Sequence, residues 1–148
     1  LHLRELLEFE LHNLPAEDVS LEVEPDSCDF SFTSPPYFSK EIYSDEPTQS
    51  YKRYATWETW VEGFLKPMID LTHYALKPGA KAVINVAETV RIRGGEVCNL
   101  GEATQQAAFA RGFILEDVLR FPMSKRMSGS TTEETAVAFE PVYVFSKV

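Results

Sequence analysis

The chain has 148 residues, 44% of them hydrophobic and 25% charged, proportions ordinary for one globular domain large enough to bury a core. Its 14 basic and 23 acidic residues leave a formal charge of −9, which does not advertise a generic nucleic-acid-binding surface. No apolar run approaches a membrane span and no charged-then-apolar leader opens the sequence, so a cytoplasmic location is expected.

In chain order, Leu1 to Leu7 reads as the end of a helix. Phe9 and Leu11 alternate with charged neighbours and suggest a strand near Leu7 to Asn13. A polar connection, Pro15 to Ser27, leads to a strand at Cys28 to Thr33, followed by a long loop from Phe38 to Ala55. Thr56 is the predicted N-cap of the clearest helix, in which Trp57, Trp60, Val61, Phe64, Leu65, Met68 and Leu76 recur at three and four. These aromatics are expected to be core packing. Pro67 predicts a kink, and Lys77-Pro78-Gly79 a stop. Ala82 to Val86 is a near-continuous apolar strand of the kind buried on both faces. Gly94-Gly95 reads as a turn. Asn99 and Glu102 have the spacing of a capping box for a second helix that ends at Gly112. Phe113 to Phe121 and Val142 to Phe145 complete the strands, with Pro141 placed at the start of the last. Strand and helix alternate, so the expected fold is α/β with a mostly parallel sheet. Cys28 and Cys98 read as reduced, buried thiols. His2, His12 and His73 lack ligand-like spacing, and no metal is expected.

Thr33-Ser34-Pro35-Pro36-Tyr37 stands at the end of the first clear strand, where ligands of open α/β sheets bind. Two prolines supply no backbone N–H and hold φ near one value, so their carbonyls point in fixed directions. A serine and an aromatic flank this rigid acceptor pair. The group suits a flat molecule with an amino group on its edge.

This stretch resembles the catalytic tetrapeptide, (Asp/Asn/Ser)-Pro-Pro-(Tyr/Phe), of S-adenosylmethionine-dependent methyltransferases acting on amino groups. The Ser form preceded by Thr is similar to DNA amino-methyltransferases of restriction-modification and phage origin. Leu76-Lys77-Pro78-Gly79, Val83-Ile84-Asn85-Val86 and Glu140-Pro141-Val142-Tyr143-Val144-Phe145 resemble further segments of that family in order. The likeness spans about Leu7 to Lys147. It implies methyl transfer to the exocyclic amine, cytosine N4 or adenine N6, of a DNA base. Ser34 and Pro35 would accept the amino hydrogens, Pro36 would complete the rigid turn, and Tyr37 would stack on the flipped base. The Pro-Cys pair of ring-carbon cytosine methylation is absent.

The family also carries a glycine-rich loop, Phe-x-Gly-x-Gly, for the methionine part of the cofactor. Here the first of seven glycines is Gly63. The expectation is a single domain over residues 1–148 that forms the catalytic half of a Rossmann-like class I methyltransferase. Its sheet would begin at the family's third strand, be mostly parallel and end on an antiparallel strand, without the cofactor half. Such a chain would be a fragment, one half of a split enzyme, or an inactive descendant. Its uncovered apolar edge and face would favour self-association or a second chain. Asn13, Ala16 and Thr33 are the expected remaining contacts to S-adenosylmethionine. Lys52, Arg53, Arg91, Arg93, Lys125 and Arg126, with Lys40 and Phe38, lie in or beside loops after strands and are the expected contacts to DNA. Two alternatives stand beside this reading: transfer to an RNA base or protein glutamine, and an α/β interaction module without catalysis.

Overall fold

The computed structural model describes residues 11–92, 94–123 and 138–148. The expected helix end at Leu1 to Leu7, His2, Arg93, Lys125 and Arg126 lie outside them. So does most of the Leu7 to Asn13 strand, and its described residues 11–13 are not in strand conformation. A 3-10 helix, Ala16–Leu21, occupies the polar connection. Next come β1 (Cys28–Thr33), a 3-10 turn at Phe38–Lys40, α1 (Ser50–Arg53), α2 (Trp57–Trp60), a π-helical stretch Val61–Leu65 and α3 (Lys66–Ala75). The chain continues as β2 (Leu76–Asn85), β3 (Val90–Arg91), β4 (Val97–Cys98), α4 (Leu100–Arg111), β5 (Phe113–Met123) and β6 (Ala138–Lys147).

The sheet runs β1-β2-β6-β5. β1 and β2 are parallel, with Phe30 opposite Lys81 and Thr33 opposite Ile84. β6 is antiparallel to β2 on one side and to β5 on the other. Three strands thus run one way and the last runs against them, a mixed sheet with the expected reversed final strand. Pro141 departs from expectation. It lies inside β6 opposite Arg120, and the strand starts earlier, at Ala138. Its carbonyl accepts from the side-chain amide of Asn85 at 3.1 Å.

The long helix meets Pro67 without a break. The amide of Lys66 donates to the carbonyl of Val61, five residues back, so the π-helical stretch shifts the ladder just before the residue that cannot donate. Thr56 caps α2 in a reciprocal box with Thr59. The box expected at Asn99 does not form: its amide bonds the Glu102 carboxylate at 3.2 Å instead of capping the backbone. Gly112 ends α4 at φ +102, a conformation glycine adopts freely. Gly94 and Gly95, also at positive φ, turn the unforeseen β3–β4 hairpin. Two-residue strands are too short to show a period.

α3 packs on α4 and on β2. The core lies on that side of the sheet, where Trp60, Leu65, Ile69, Ile84, Val86, Leu100, Tyr143 and Phe145 are buried. Trp60 and Phe64 are core, as expected, and Trp57 is partly buried against them. On β1, Phe30 and Phe32 remain 58% and 65% exposed. Among the described residues β1 pairs with β2 alone, so its other edge is unpaired among them.

The loop after β2 is fastened by a polar pair between the buried Tyr143 and the exposed Glu88. The Tyr143 hydroxyl donates to Glu88 Oε2 at 2.8 Å, and the Gly101 amide donates to the Glu88 carbonyl at 3.0 Å. A Cβ on Gly101 would overlap the Tyr143 hydroxyl and the Glu88 carboxylate. Gly101→Ala is therefore expected to cost about 1–3 kcal/mol in urea unfolding, the usual penalty of overpacking a filled site.

Candidate active site at the end of β1

β1 delivers Thr33 to its last pairing with Ile84, and Ser34 follows at the carboxyl edge of the sheet. Ser34 is exposed, Pro35 is buried and Pro36 is half-buried. Tyr37 is only 8% exposed. Burial pushes its hydroxyl far above the usual tyrosine range. Ser34 beside it opposes that shift, and the Glu140 carboxylate reinforces it.

The next residue locks the turn. Phe38 has φ +52, in the left-handed region that a bulky residue occupies at a cost of about 1–3 kcal/mol. Its ring is held by Trp57 and Trp60, with centroids at 6.1 and 5.8 Å. Trp60 donates its indole N–H to Ser50 Oγ at 3.1 Å, which ties α1 into the same cluster. Phe38, expected at the nucleic-acid contact, is buried at 4% exposure in this conformation, where it is a packing anchor for the turn. Tyr37, expected to stack on a base, is likewise turned into the protein in this conformation.

Glu41 closes the loop from the other side. Its Oε2 accepts the Tyr37 backbone N–H at 3.3 Å and the Tyr43 hydroxyl at 2.7 Å. Beyond the loop, a cleft of about 390 Å³ opens between Phe38, Tyr51, Trp57, Ile92 and Glu96.

Most of the described basic residues expected to meet phosphate are already engaged. Arg53 reaches Glu17 at 2.7 Å and Asp18 at 2.8 Å. Lys52 pairs with Asp45, and Arg91 donates to the Gly95 carbonyl at 2.7 Å. Lys40 is exposed. On the side expected to face cofactor, Asn13 lines a cleft of about 390 Å³ with Leu14, Pro15, Glu46, Thr48 and Gln49. Its amide, carboxylate and hydroxyl suit the edge of a polar heterocycle. Ala16 is exposed at the start of the 3-10 helix, and Thr33 is half-buried beside the motif. No cluster of metal-ligating side chains occurs among the described residues, and no helix among them is long and apolar enough to cross a membrane.

Sequence reasoning did not single out Glu41 or Glu140. Glu140 stood in a segment read as a strand and as a family likeness but given no site role, and its nearness to Tyr37 spans most of the chain. Glu41 is four residues beyond Tyr37, but only the turn at Phe38 brings its carboxylate back to the motif.

A reversed last strand, a parallel β1–β2 pair and a Ser-Pro-Pro-Tyr turn at the carboxyl end of β1 together define a methyltransferase-type α/β protein. The chain belongs to the N6/N4 DNA methylase family, whose model, described as DNA methylase, matches residues 28–148. No curated protein matches it. Among solved structures, a Thermus thermophilus protein described as a putative DNA modification methylase is similar at 19% identity and TM-score 0.64, covering 93% of this chain and 54% of that one. The same protein is known in complex with S-adenosyl-L-methionine. The cytosine-N4-specific PvuII DNA methyltransferase is similar at 16% identity and TM-score 0.55, covering 90% of this chain and 47% of that one. The chain spans about half the length of these structures.

Proposed function

We propose that this chain supplies the amine-holding half of a DNA amino-methyltransferase. The observation that carries the reading is the exposed Ser34 hydroxyl beside the rigid Pro35-Pro36 pair at the carboxyl end of β1, in a chain of the DNA methylase family. A serine hydroxyl has two acceptor lone pairs and a carbonyl accepts as well. Ser34 Oγ and the Pro35 carbonyl can each accept a hydrogen of an exocyclic amine. An aromatic amine is a weak nucleophile because its lone pair is delocalised into the ring. Two acceptors favour a pyramidal nitrogen and stabilise the positive charge it gains as the N–C bond forms and the S–C bond breaks. The uncommitted orbital of the amine then carries the reaction, and the nitrogen releases one proton afterwards.

Bound S-adenosylmethionine would supply the electrophilic methyl group. Asn13, Ala16 and Thr33 are the residues proposed to meet it, and the polar lining around Asn13 supports that assignment. Lys40, Lys52, Arg53, Arg91, Arg93, Lys125 and Arg126 are the proposed DNA-facing basic residues; for Lys52 and Arg53 this requires exchanging carboxylate partners for phosphate. Tyr37 would have to rotate out of the protein to stack on a base. The exposed edge of β1, with Phe30 and Phe32, is the proposed seat of a second polypeptide segment that completes the sheet, or of another copy of the chain.

Radiolabelled methyl transfer to DNA, with calorimetry for S-adenosylmethionine, tests the reading. Transfer to a base amine is expected when the sheet is completed. Cofactor and DNA binding without any transfer would leave an interaction module instead. Light scattering tests the edge: association is expected, and a monodisperse monomer counts against it.

A further inference from the structure

We infer that Glu41 is a positioning residue that fixes the Ser34–Tyr37 turn and links it to the exposed ring of Tyr43. The inference rests on the amine-holding reading for its functional half, and on geometry alone for its positioning half. Pro35 and Pro36 have no N–H, so Tyr37 carries the first backbone donor after Ser34 by which the turn can be held. Glu41 Oε2 takes that donor at 3.3 Å. Its hold comes from the outer side of the turn, whereas Phe38 is gripped from within by Trp57 and Trp60. The carboxylate thereby fixes the backbone directly after the two prolines and limits how their carbonyls can turn.

The same oxygen also accepts the Tyr43 hydroxyl at 2.7 Å. Tyr43 is 68% exposed, and its neighbour Ile42 is 50% exposed. An aromatic ring left in water at the mouth of a base-handling site is a ready stacking surface for an unpaired base, worth about 1–3 kcal/mol per base in general. Its hydroxyl, held by the oxygen that also holds Tyr37, makes a base on Tyr43 and an amine on Ser34 share one anchor. A base stacked on Tyr43 would thus draw Glu41 tighter onto Tyr37 and stiffen the turn.

Residue-resolved amide hydrogen exchange, with and without a single-stranded oligonucleotide, decides both halves. In the free protein, Glu41→Ala should speed exchange at the Tyr37 amide by about tenfold or more, and Glu41→Gln, which keeps an acceptor, should restore most of the protection. Amides of β2 and α4 should not change. Unaltered exchange at Tyr37 in Glu41→Ala overturns the positioning role whatever the protein does with DNA. Adding the oligonucleotide should slow Tyr37 exchange further in the wild type. In Tyr43→Phe, which keeps the ring and loses the hydroxyl, the oligonucleotide should still bind while that extra slowing disappears. Equal slowing in both proteins overturns the link through Tyr43. Absence of oligonucleotide binding by the wild type refutes the DNA-handling reading and the link together, and the free-protein comparison still decides Glu41.

Discussion

Ser34→Ala is expected to reduce methyl transfer by about 10²–10³-fold in the assembled enzyme, the usual loss when one preorganised partner of the developing charge is removed. The fold should barely notice. Ser34 is exposed, so its truncation leaves no cavity. A surface truncation of this kind stays within about 0.5 kcal/mol in stability. Cofactor affinity should also be unchanged, because the loss falls on the amine side of the reaction. The comparison to make is turnover against the unfolding midpoint. Turnover within about threefold of the wild type, at equal stability, would remove Ser34 from its role.

Trp60→Ala should act on the fold first and on the site through it. Trp60 is fully buried and touches Phe38, Trp57 and Phe64 at centroid distances of 5.8, 5.5 and 5.2 Å. Emptying such a position costs about 3–5 kcal/mol, transfer and cavity together. Ser50 also loses its indole partner. The strained backbone of Phe38 is then held by Trp57 alone, so the turn should relax toward ordinary φ values and release Tyr37 from its burial. Urea unfolding measures the first effect and Tyr37 amide exchange the second. A loss below about 1 kcal/mol would show that the cluster does not carry the turn. Phe38→Gly separates the two causes: glycine tolerates positive φ, so strain is relieved while the ring contact is lost.

The two substitutions also mark which features of the site are visible in the sequence. Ser34 can be read directly because its function depends on local chemistry. A hydroxyl, two prolines and an aromatic at a strand end form a rigid acceptor whatever surrounds them. The helix from Thr56 is equally visible, since Trp57, Trp60, Phe64 and Met68 repeat at its period over many residues. The π-helical stretch before Pro67 is not, because sequence shows the missing donor, and so a kink, but not how the ladder adjusts. The partners of the basic residues are hidden for a related reason. Lys52 and Arg53 look free along the chain, while the 3-10 helix brings Glu17 and Asp18 onto Arg53 from 36 and 35 residues away.

The sequence by itself determined the order of the main strands and helices, the Ser-Pro-Pro-Tyr tetrapeptide and the family. Each depends on residue type and short-range spacing, which the chain carries explicitly. Only the tertiary structure decided that Tyr37 is buried against Glu140, that Phe38 is an anchor in a left-handed conformation, and that Glu41 returns to hold the motif. Those relations depend on where β6 and the long helix come to rest relative to the turn after β1. Their residues are distant in sequence or reversed by a turn, and no local period encodes a meeting of that kind.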